Sequence, residues 1–595
     1  MTGIDVLEER KAAARAARGI DDLRTSEEDA EVLQQRRGKL EQVFRRRAHG
    51  RPWFDGAQPI MPHQWLGACF GAVARRWILG DEPGLGKTRQ GAAWVDLILA
   101  QRIVVVCENG VVEQLQNEFA EMLPARRHIR LWGLKPADRA RAREQLLATD
   151  AAVVYINYEI LRDAPTLWAI LEWLPDTLIV DEAHNLKSTE TGNFANVAML
   201  ALSQNACAKC GSLKFGPSNA CTACGWTLDD GMPDFETSLE LTIATSSVKN
   251  VLMMTGTPIL NSPDDLYAQL HIIRPDLFPE QAAYRKSYLK LNNYTKRWEF
   301  RPGAAKRIKD LIDGAYLART KEEVGIILPD RGIHTVNVDL DPEKYPLQYR
   351  TIKQISERAA IWLTSGEKMT IMHSISIMLY KRMANSWPGG IVWRDKKTGD
   401  VLLEVGSEVK ESAKLDALMY GTDDAPGALK LWQQGHRQVV FSQFTTALDE
   451  LEKRLTAQGM RVARIDGTVS AKQKSKVKAD FYKAKMTGPA QYDIVLAQYK
   501  SGGTGLNLTA ATITHILDEE WNPGKRDQAY GRTYRMGQDL ETEVYRYIIR
   551  QTIDVYIASL INAKEGIVDE FNGAMKSESA AIREIMQLIE SGDIL

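Results

Sequence analysis

Short apolar runs alternate with helical patterns along two long parts of the chain. In the first part the runs cover residues 103–107, 152–156 and 177–180. Runs of this length that are apolar throughout are typical of strands buried on both faces of a parallel sheet, with helices covering those faces. The same alternation returns after Lys414, with runs at 439–444, 462–465 and 494–497. The sequence therefore predicts an α/β protein with two parallel-sheet lobes.

Between these parts, residues 276–410 are mostly helical in pattern, and basic side chains alternate with aromatic ones over 284–298. Such a mixture suits contact with nucleic acid, although aromatic side chains on helices more often belong to a core. The pattern divides the chain into five predicted segments. These are a charged helical N-terminal arm (1–55), a first lobe (56–275), a helical linker (276–410), a second lobe (411–560) and a C-terminal helical tail (561–595).

Composition limits the classes of partner. The chain has 595 residues and a net charge of −1, so a polyanion would have to be held by local basic patches. The basic N-terminal arm is either a solvated helix or an extension that contacts phosphates. No apolar run is long enough to span a membrane, and residues 1–18 lack the apolar core of a secretory signal. We expect a cytoplasmic protein with Cys69 and Cys107 buried and reduced.

A glycine-rich turn at 79–88 joins an apolar run to a helical pattern. Glycines such as Gly84 and Gly86 let backbone N–H groups face phosphate oxygens at the positive end of the following helix. Lys87 can reach the β- and γ-phosphates, and the hydroxyl of Thr88 can ligate Mg²⁺. Asp81 lies where the usual phosphate-loop pattern has its first glycine. The turn is therefore a candidate phosphate cradle, and a purely structural turn is the alternative.

The third strand candidate ends in Asp-Glu-Ala-His at 181–184. A carboxylate at the end of a parallel strand lies beside the phosphate loop, where Asp181 can hold Mg²⁺ through water. Glu182 can orient and deprotonate the attacking water. A fourth apolar run, 251–254, leads into Thr-Gly-Thr-Pro at 255–258, which suits a hydrogen-bonded relay at a strand end.

Three side chains outside the cradle are candidates for nucleotide contacts. Gln64 precedes the cradle, and its amide can pair with the edge of adenine or remain a surface group. Arg532 and Arg535 are three residues apart, so both lie on one face if the run is helical. Such arginines suit an arginine finger, which stabilises charge on a transferred phosphate, and two surface arginines are the alternative.

Four of the six cysteines form two pairs, each followed by glycine. Four thiolates in two Cys-x-x-Cys pairs predict a closed tetrahedral site for structural Zn²⁺, in a ribbon-like insertion at about 204–228. Two disulfides or idle thiols are the alternative, and they are less expected in a chain without an export signal. The predicted ligands are Cys207, Cys210, Cys221 and Cys224.

Together these motifs resemble the Swi/Snf-type ATPases of helicase superfamily 2. The resemblance runs from Gln64 through Gly-Leu-Gly-Lys-Thr, Asp-Glu-Ala-His and Thr-Gly-Thr-Pro to Gly-Gly-Thr-Gly-Leu-Asn-Leu and the Gln-Ala-x-x-Arg-x-x-Arg-x-Gly-Gln run, over about 61–545. The family also opens its cradle with Asp-Glu. Lys474 departs from the arginine that the family usually shows, and the cysteine insertion is not a general family feature.

The resemblance implies two RecA-like lobes with ATP and Mg²⁺ in the cleft between them and a helical insertion separating them. It implies ATP-driven translocation along duplex DNA, usually without strand separation. A strand-separating DNA or RNA helicase and a DNA-binding scaffold with an inactive motor are the competing functions. In the implied site Gln64 contacts adenine, Lys87 and Thr88 bind phosphate and Mg²⁺, Asp181 and Glu182 serve metal and water, Gly505 approaches from the second lobe, and Arg532 and Arg535 are the fingers.

Overall fold

A computed structural model gives the fold. Most of the predicted N-terminal arm, the four paired cysteines, Gly505 and the predicted tail lie outside the residues that it describes. The described residues are 43–186, 189, 191–202, 247–256, 258–259, 262–292, 297–312, 314–364, 371–394, 399–406, 409–482, 489–499, 506–520, 523–535 and 537–559.

The first lobe contains a seven-stranded sheet in the order β3-β4-β2-β5-β6-β1-β9, and every neighbouring pair in it is parallel. In its centre Val104 pairs with Val154 on one side and Leu178 on the other. The strands are β1 (Arg76–Leu79), β2 (Arg102–Cys107), β3 (His128–Arg130), β4 (Ala152–Asn157), β5 (Thr177–Asp181), β6 (Asn250–Met254) and β9 (Tyr316–Leu317).

Alternate residues of the central strands enter two separate cores. Ile103 and Val105 of β2 join one cluster, and Val104 and Val106 join the other. Helices cover both faces, which explains why these strands are apolar throughout. The helices of this lobe are α1 (Pro52–Asp55), α2 (Pro62–Ala74), α3 (Lys87–Leu97), α4 (Val112–Met122), α5 (Pro136–Leu147), α6 (Ala164–Glu172), α7 (Gly192–Leu202) and α8 (Asp265–Ile273).

The second lobe contains a six-stranded parallel sheet in the order β10-β19-β18-β15-β17-β16. Its central strand again feeds two cores, since Val440 packs on one face and Val439 and Phe441 on the other. The predicted pair of parallel-sheet lobes is therefore confirmed. The strands are β10 (Arg331–Val338), β15 (Gln438–Ser442), β16 (Val462–Ile465), β17 (Ile494–Gln498), β18 (Ile513–Ile516) and β19 (Thr542–Ile549).

Helices and two short antiparallel pairs complete this lobe. The pairs are β11 (Val392–Arg394) with β12 (Val401–Glu404) and β13 (Gly421–Thr422) with β14 (Ala425–Pro426). The helices are α11 (Pro346–Thr364), α12 (Ile371–Ser386), α13 (Ala413–Tyr420), α14 (Ala428–Gln433), α15 (Thr445–Ala457), α16 (Ala471–Phe481) and α17 (Pro523–Thr533).

The segment 276–410 differs from the expected run of helices. Within it, β9 completes the edge of the first sheet and β10 forms an edge of the second. Residues 281–311, called the hairpin module below, pack Tyr284, Tyr288 and Phe300 into a core that they share with α8. Its elements are α9 (Gln281–Tyr288), β7 (Leu289–Asn292), β8 (Arg297–Phe300) and α10 (Ala304–Leu311).

In the described part of the chain, no helix combines the length and apolar character needed to cross a membrane.

Candidate active site

The glycine-rich turn after β1 forms a tight loop that ends in α3. Gly84 and Gly86 have φ of +97° and +74°, which side chains other than glycine rarely adopt. A Cβ atom at Gly86 would lie 2.3 Å from Nε2 of Gln64, so this position also lacks room for a side chain. Lys87 begins α3, and its Nζ donates to the carbonyl of Asp81 at 2.6 Å. This is the geometry expected of a phosphate cradle at a helix N-terminus.

Asp81 is fully buried and forms an ion pair with Arg319 at 2.6 Å. Gln90 of α3 donates to the same carboxylate at 2.9 Å and accepts from Arg319 at 2.9 Å. Arg319 also donates to the carbonyl of His63 at 2.8 Å. The aspartate at the usual first-glycine position therefore ties the cradle to both flanking helices. The role of Arg319 was missed from the sequence, because no local pattern links it to Asp81.

The next cradle residue is held from the same distant segment. The backbone N–H of Lys321 donates to Glu82 at 2.8 Å, and the Lys321 ammonium forms an ion pair with the same carboxylate. The N–H of Glu82 donates to the carbonyl of Arg319 at 2.9 Å. Residues 319–321 therefore form a strap across the cradle.

Gln64 lies against the cradle and uses both ends of its amide within the protein. Its Nε2 donates to the carbonyl of Leu85 at 3.1 Å, and its Oε1 accepts from the N–H of Met61 at 3.0 Å. His63 contacts the same Leu85 carbonyl at 3.0 Å. The structure thus places Gln64 beside the cradle and gives it a structural contact that the sequence did not reveal; its contact with adenine stays a prediction.

Asp181 and Glu182 lie at the carboxyl end of β5. Glu182 has a φ of +48°, a strained value for a residue with a side chain, and its carboxylate lies 3.2 Å from Nδ1 of His184. The same nitrogen lies 3.2 Å from the hydroxyl of Thr255 at the end of β6. The Asp-Glu-Ala-His and Thr-Gly-Thr-Pro segments are therefore joined through one histidine.

The charges in this cluster oppose one another. Burial, reinforced by the charge of Glu182, raises the pKa of Asp181 well above its ordinary range. Burial works against ionisation of Glu182, yet its contact with His184 and the charges of Lys87 and Arg532 lower its pKa. Burial also lowers the pKa of Lys87, against the effect of the surrounding carboxylates. The two neighbouring carboxylates offer oxygen atoms, which are the ligands that a divalent cation such as Mg²⁺ prefers.

The second lobe brings two arginines to this cluster. Arg532 and Arg535 both donate to the carbonyl of Leu506, at 3.3 and 3.2 Å. The helix ends at Thr533, so Arg535 lies beyond the helix on which we expected both. A Cβ atom on Gly84 would lie 3.5 Å from Cβ of Arg535, so this residue lies beside the cradle. Burial, together with the charge of Arg535, lowers the pKa of Arg532 to about 9.

Of the remaining predicted site residues, Thr88 lies within the described ranges and the others lie outside them. Thr88 lies in the first turn of α3, half-buried, next to Lys87. Across the described residues no group of three or more His, Cys, Asp and Glu side chains forms a metal site. The residues predicted to be zinc ligands and Gly505 lie outside the described ranges. These are Cys207, Cys210, Cys221 and Cys224.

Comparison with known protein families shows to which family the chain belongs. The SNF2-related domain matches residues 60–207 and 234–388, more than half of the chain, and the Helicase conserved C-terminal domain matches residues 423–537. The chain belongs to the SNF2-related family. The first match covers the first sheet of this SNF2-related protein, the cradle, the strap and β10, and the second covers β15 to β18 of the second sheet and both arginines.

Individual relatives of this SNF2-related protein are distant in sequence. Chromodomain-helicase-DNA-binding protein 1-like of Mus musculus is 25% identical over 89% of this chain and 52% of its own length. Protein CHROMATIN REMODELING 5 of Arabidopsis thaliana is 23% identical over 88% of this chain. The chain spans only 27% of that plant protein. A solved structure, the Sulfolobus solfataricus SWI2/SNF2 ATPase core in complex with dsDNA, matches 89% of this chain and 95% of its own at 20% identity, with a TM-score of 0.35.

Proposed function

We propose that this protein hydrolyses ATP and uses the energy to translocate along duplex DNA. One observation carries the proposal: Arg535 of the second lobe lies beside the cradle of the first, and Arg532 is close enough to Glu182 for its charge to lower the pKa of that carboxylate. A site divided in this way is complete only when the lobes are together, so hydrolysis can be coupled to lobe movement. Membership in the SNF2-related family and relatives named as DNA-binding helicases and chromatin remodelling proteins support the same function.

Each side chain of the cluster has a proposed part in hydrolysis. Lys87 binds phosphate oxygens, and Thr88 and Asp181 hold Mg²⁺, which offsets negative charge on the phosphates. Glu182 accepts a proton from the attacking water, and the lowered pKa of its carboxylate keeps it ionised for that task. Arg532 and Arg535 stabilise the charge that develops on the transferred phosphate. Gln64 and Gly505 are proposed to contact the nucleotide from either lobe.

The substitution Glu182→Gln tests this assignment. The amide keeps the shape of the side chain but cannot accept the proton, so turnover should fall by at least on the order of a hundredfold while ATP still binds. Steady-state ATPase assays and equilibrium binding of a fluorescent ATP analogue measure the two effects. Glu144→Gln, on an exposed face of α5, is the matched control and should change neither. An equal loss of binding and rate would show that Glu182 has a structural role.

Two other functions can be tested by measuring ATPase activity and strand release with duplex DNA, forked DNA, single strands and RNA. A strand-separating helicase would release a strand from a forked substrate, and single strands or RNA would stimulate its ATPase more than duplex DNA does. A scaffold with an inactive motor would bind DNA without hydrolysing ATP. Stimulation by duplex DNA without strand release is the outcome expected for a translocase.

We also propose that Cys207, Cys210, Cys221 and Cys224 bind one structural Zn²⁺. The paired spacing supports this, and Cys69 and Cys107, which are not in disulfide bonds, are consistent with a reducing, cytoplasmic setting. Metal analysis of freshly purified reduced protein should find one zinc per chain, and Cys207→Ser should lose it. Protein without zinc would overturn the assignment. The five segments given above are proposed as divisions of the chain, with β9 of the linker segment added to the first sheet and β10 added to the second.

A further inference from the structure

The hairpin module has a charge unlike that of the whole protein. Residues 281–311 contain nine Lys and Arg residues and two Asp and Glu residues, in a chain whose net charge is −1. On its surface lies a concave groove of about 450 Å³. Its lining includes Arg285, Lys286, Lys290, Leu291, Trp298 and Arg301.

One side of the groove is held in place by contacts with the rest of the first lobe. Arg285 donates to both oxygens of Asp264, at 3.0 and 2.6 Å, and its guanidinium lies 5.4 Å from the ring centroid of Trp298. Next to it, the hydroxyl of Tyr284 donates to the carbonyl of Pro263 at 2.9 Å. These contacts join the module to the segment that follows the Thr-Gly-Thr-Pro turn. The groove is therefore a built part of the first lobe, close in sequence to the candidate active site.

Other cations at the groove remain available to a ligand. Lys286 and Arg301 are exposed, and within the described ranges no carboxylate lies within ion-pairing distance of either. Lys290 lies 3.5 Å from Glu299 and keeps 53% of its side chain exposed, so that pair is weakly held. On the adjoining α10, Lys306 and Arg307 are exposed as well. The positive charge thus extends beyond the groove along the module.

We propose that this groove binds the phosphate backbone of duplex DNA at a second contact outside the nucleotide cleft. The proposal rests on the proposed function for its choice of DNA. A band of cations with few carboxylates matches a polymer that carries one negative charge per about 1.7 Å of axis, and release of its counterions drives binding. An acidic protein segment is the other class of polyanion. The band of cations continues from Lys286 to Arg307, which favours duplex DNA because its charge is uniform along its length.

The double substitution Lys286→Glu and Arg301→Glu in the full chain tests the groove. Both side chains are exposed and lie outside the candidate active site, so folding and DNA-independent ATPase should be unchanged. The affinity for a fluorescently labelled duplex, measured by anisotropy, should fall on the order of tenfold at about 0.1 M salt. The slope of log affinity against log salt should become shallower by about two, one for each lost phosphate contact.

Lys453→Glu is the matched control, since Lys453 is 80% exposed on α15 of the second lobe. It should leave both affinity and slope unchanged. If the unmodified protein binds duplex DNA and the double variant binds it equally well with the same slope, the groove proposal is overturned and the proposed function stands. If the unmodified protein does not bind duplex DNA, both fail.

A competition with polyglutamate separates the two classes of polyanion. The expected result is that polyglutamate at the same charge concentration displaces the duplex poorly from the unmodified protein. A groove that binds polyglutamate in the unmodified protein but not in the double variant, with duplex affinity the same in both, would belong to an acidic protein partner and would overturn the proposal.

Discussion

Asp81 and Arg319 form a buried ion pair between residues 238 positions apart in the chain. The pair stands where the usual phosphate loop has a glycine, and it brings Gln90 into the same network. A buried charge without its partner is far more costly than an exposed one, because water no longer solvates it. The cradle therefore depends on a residue well outside its own segment.

Arg319→Ala should destabilise the protein by on the order of 3–5 kcal/mol, because it leaves the Asp81 carboxylate buried and unpaired. Urea denaturation monitored by tryptophan fluorescence measures the free energy of unfolding. Arg550→Ala is the matched control, since Arg550 pairs with Asp339 on the surface, with both side chains more than half exposed. It should cost no more than about 1 kcal/mol. Similar losses in both variants would refute this role for Arg319.

At the scale of residues, the sequence predicts those candidate site residues that belong to a short local motif. Gly84, Gly86 and Lys87 can be proposed as candidates because the phosphate-loop pattern places them close together in one short segment. The Arg319 contact cannot, because it depends on the fold that brings a distant segment to the cradle. Neither can the strained backbone of Glu182, which follows from its tight turn after β5.

In the second lobe, His515 of β18 connects three neighbouring strands. Its Nε2 donates to Gln438 of β15 at 2.8 Å, and its Nδ1 accepts from the hydroxyl of Tyr547 of β19 at 2.9 Å, in the tautomer that satisfies both. Burial lowers the pKa of His515 to about 3. The sheet therefore holds this imidazole in its neutral form, with each nitrogen in a hydrogen bond across the strands.

The buried neutral imidazole of His515 makes the stability of the second lobe sensitive to acid. In the unfolded chain the histidine accepts a proton near pH 6.5, whereas the folded sheet keeps it neutral down to about pH 3. The stabilisation is fully present above pH 6.5 and is lost as pH falls, by about 1.4 kcal/mol per unit. His515→Gln keeps a donor and an acceptor but does not titrate. Its urea stability should therefore fall less than that of the unmodified protein between pH 7 and pH 5.

His49→Gln is the control for this titration, because His49 is 84% exposed. It should leave the dependence of stability on pH unchanged. If the free energy of unfolding depends on pH equally in the unmodified protein and in His515→Gln, the imidazole is protonated inside the sheet.

At the scale of elements, the central strands are predictable and the edge strands are not. Strands β2, β4 and β5 are apolar on both faces, so each stands out as a continuous run. The edge strand β10 is mostly exposed along its first five residues, and β9 has only two residues. Neither has a pattern that separates it from the helices around it, so the segment 276–410 was interpreted as a helical linker.

Across the whole molecule, the two lobes meet at the cradle. A Cβ atom on Gly531 of α17 would lie 3.9 Å from Pro83, and Tyr534 lies between two cations. The Lys321 ammonium is 5.9 Å from its ring centroid, and the Arg331 guanidinium is 4.7 Å away. These contacts hold the segment that carries the arginines of the second lobe against the first lobe.

Arg535→Ala should lower ATP turnover at saturating duplex DNA by on the order of a thousandfold, the lower end for a residue that stabilises transferred phosphate. DNA that contacts both lobes favours their closed arrangement, so stimulation should also weaken as salt rises. Phosphate-release assays over a salt series measure both effects, with Arg550→Ala as the surface control. Near-normal turnover in Arg535→Ala would assign this arginine to the fold alone.

In the described part of the chain, the backbone passes once from the first sheet to the second, between β9 and β10. Arg319 and Lys321 fasten the start of this passage to the cradle, and Arg331 begins the strand at its far end. A rotation of one lobe against the other must then turn about residues 322–330. The connection between the lobes is therefore anchored on the candidate phosphate loop itself, so a rotation of the second lobe should pull directly on that loop.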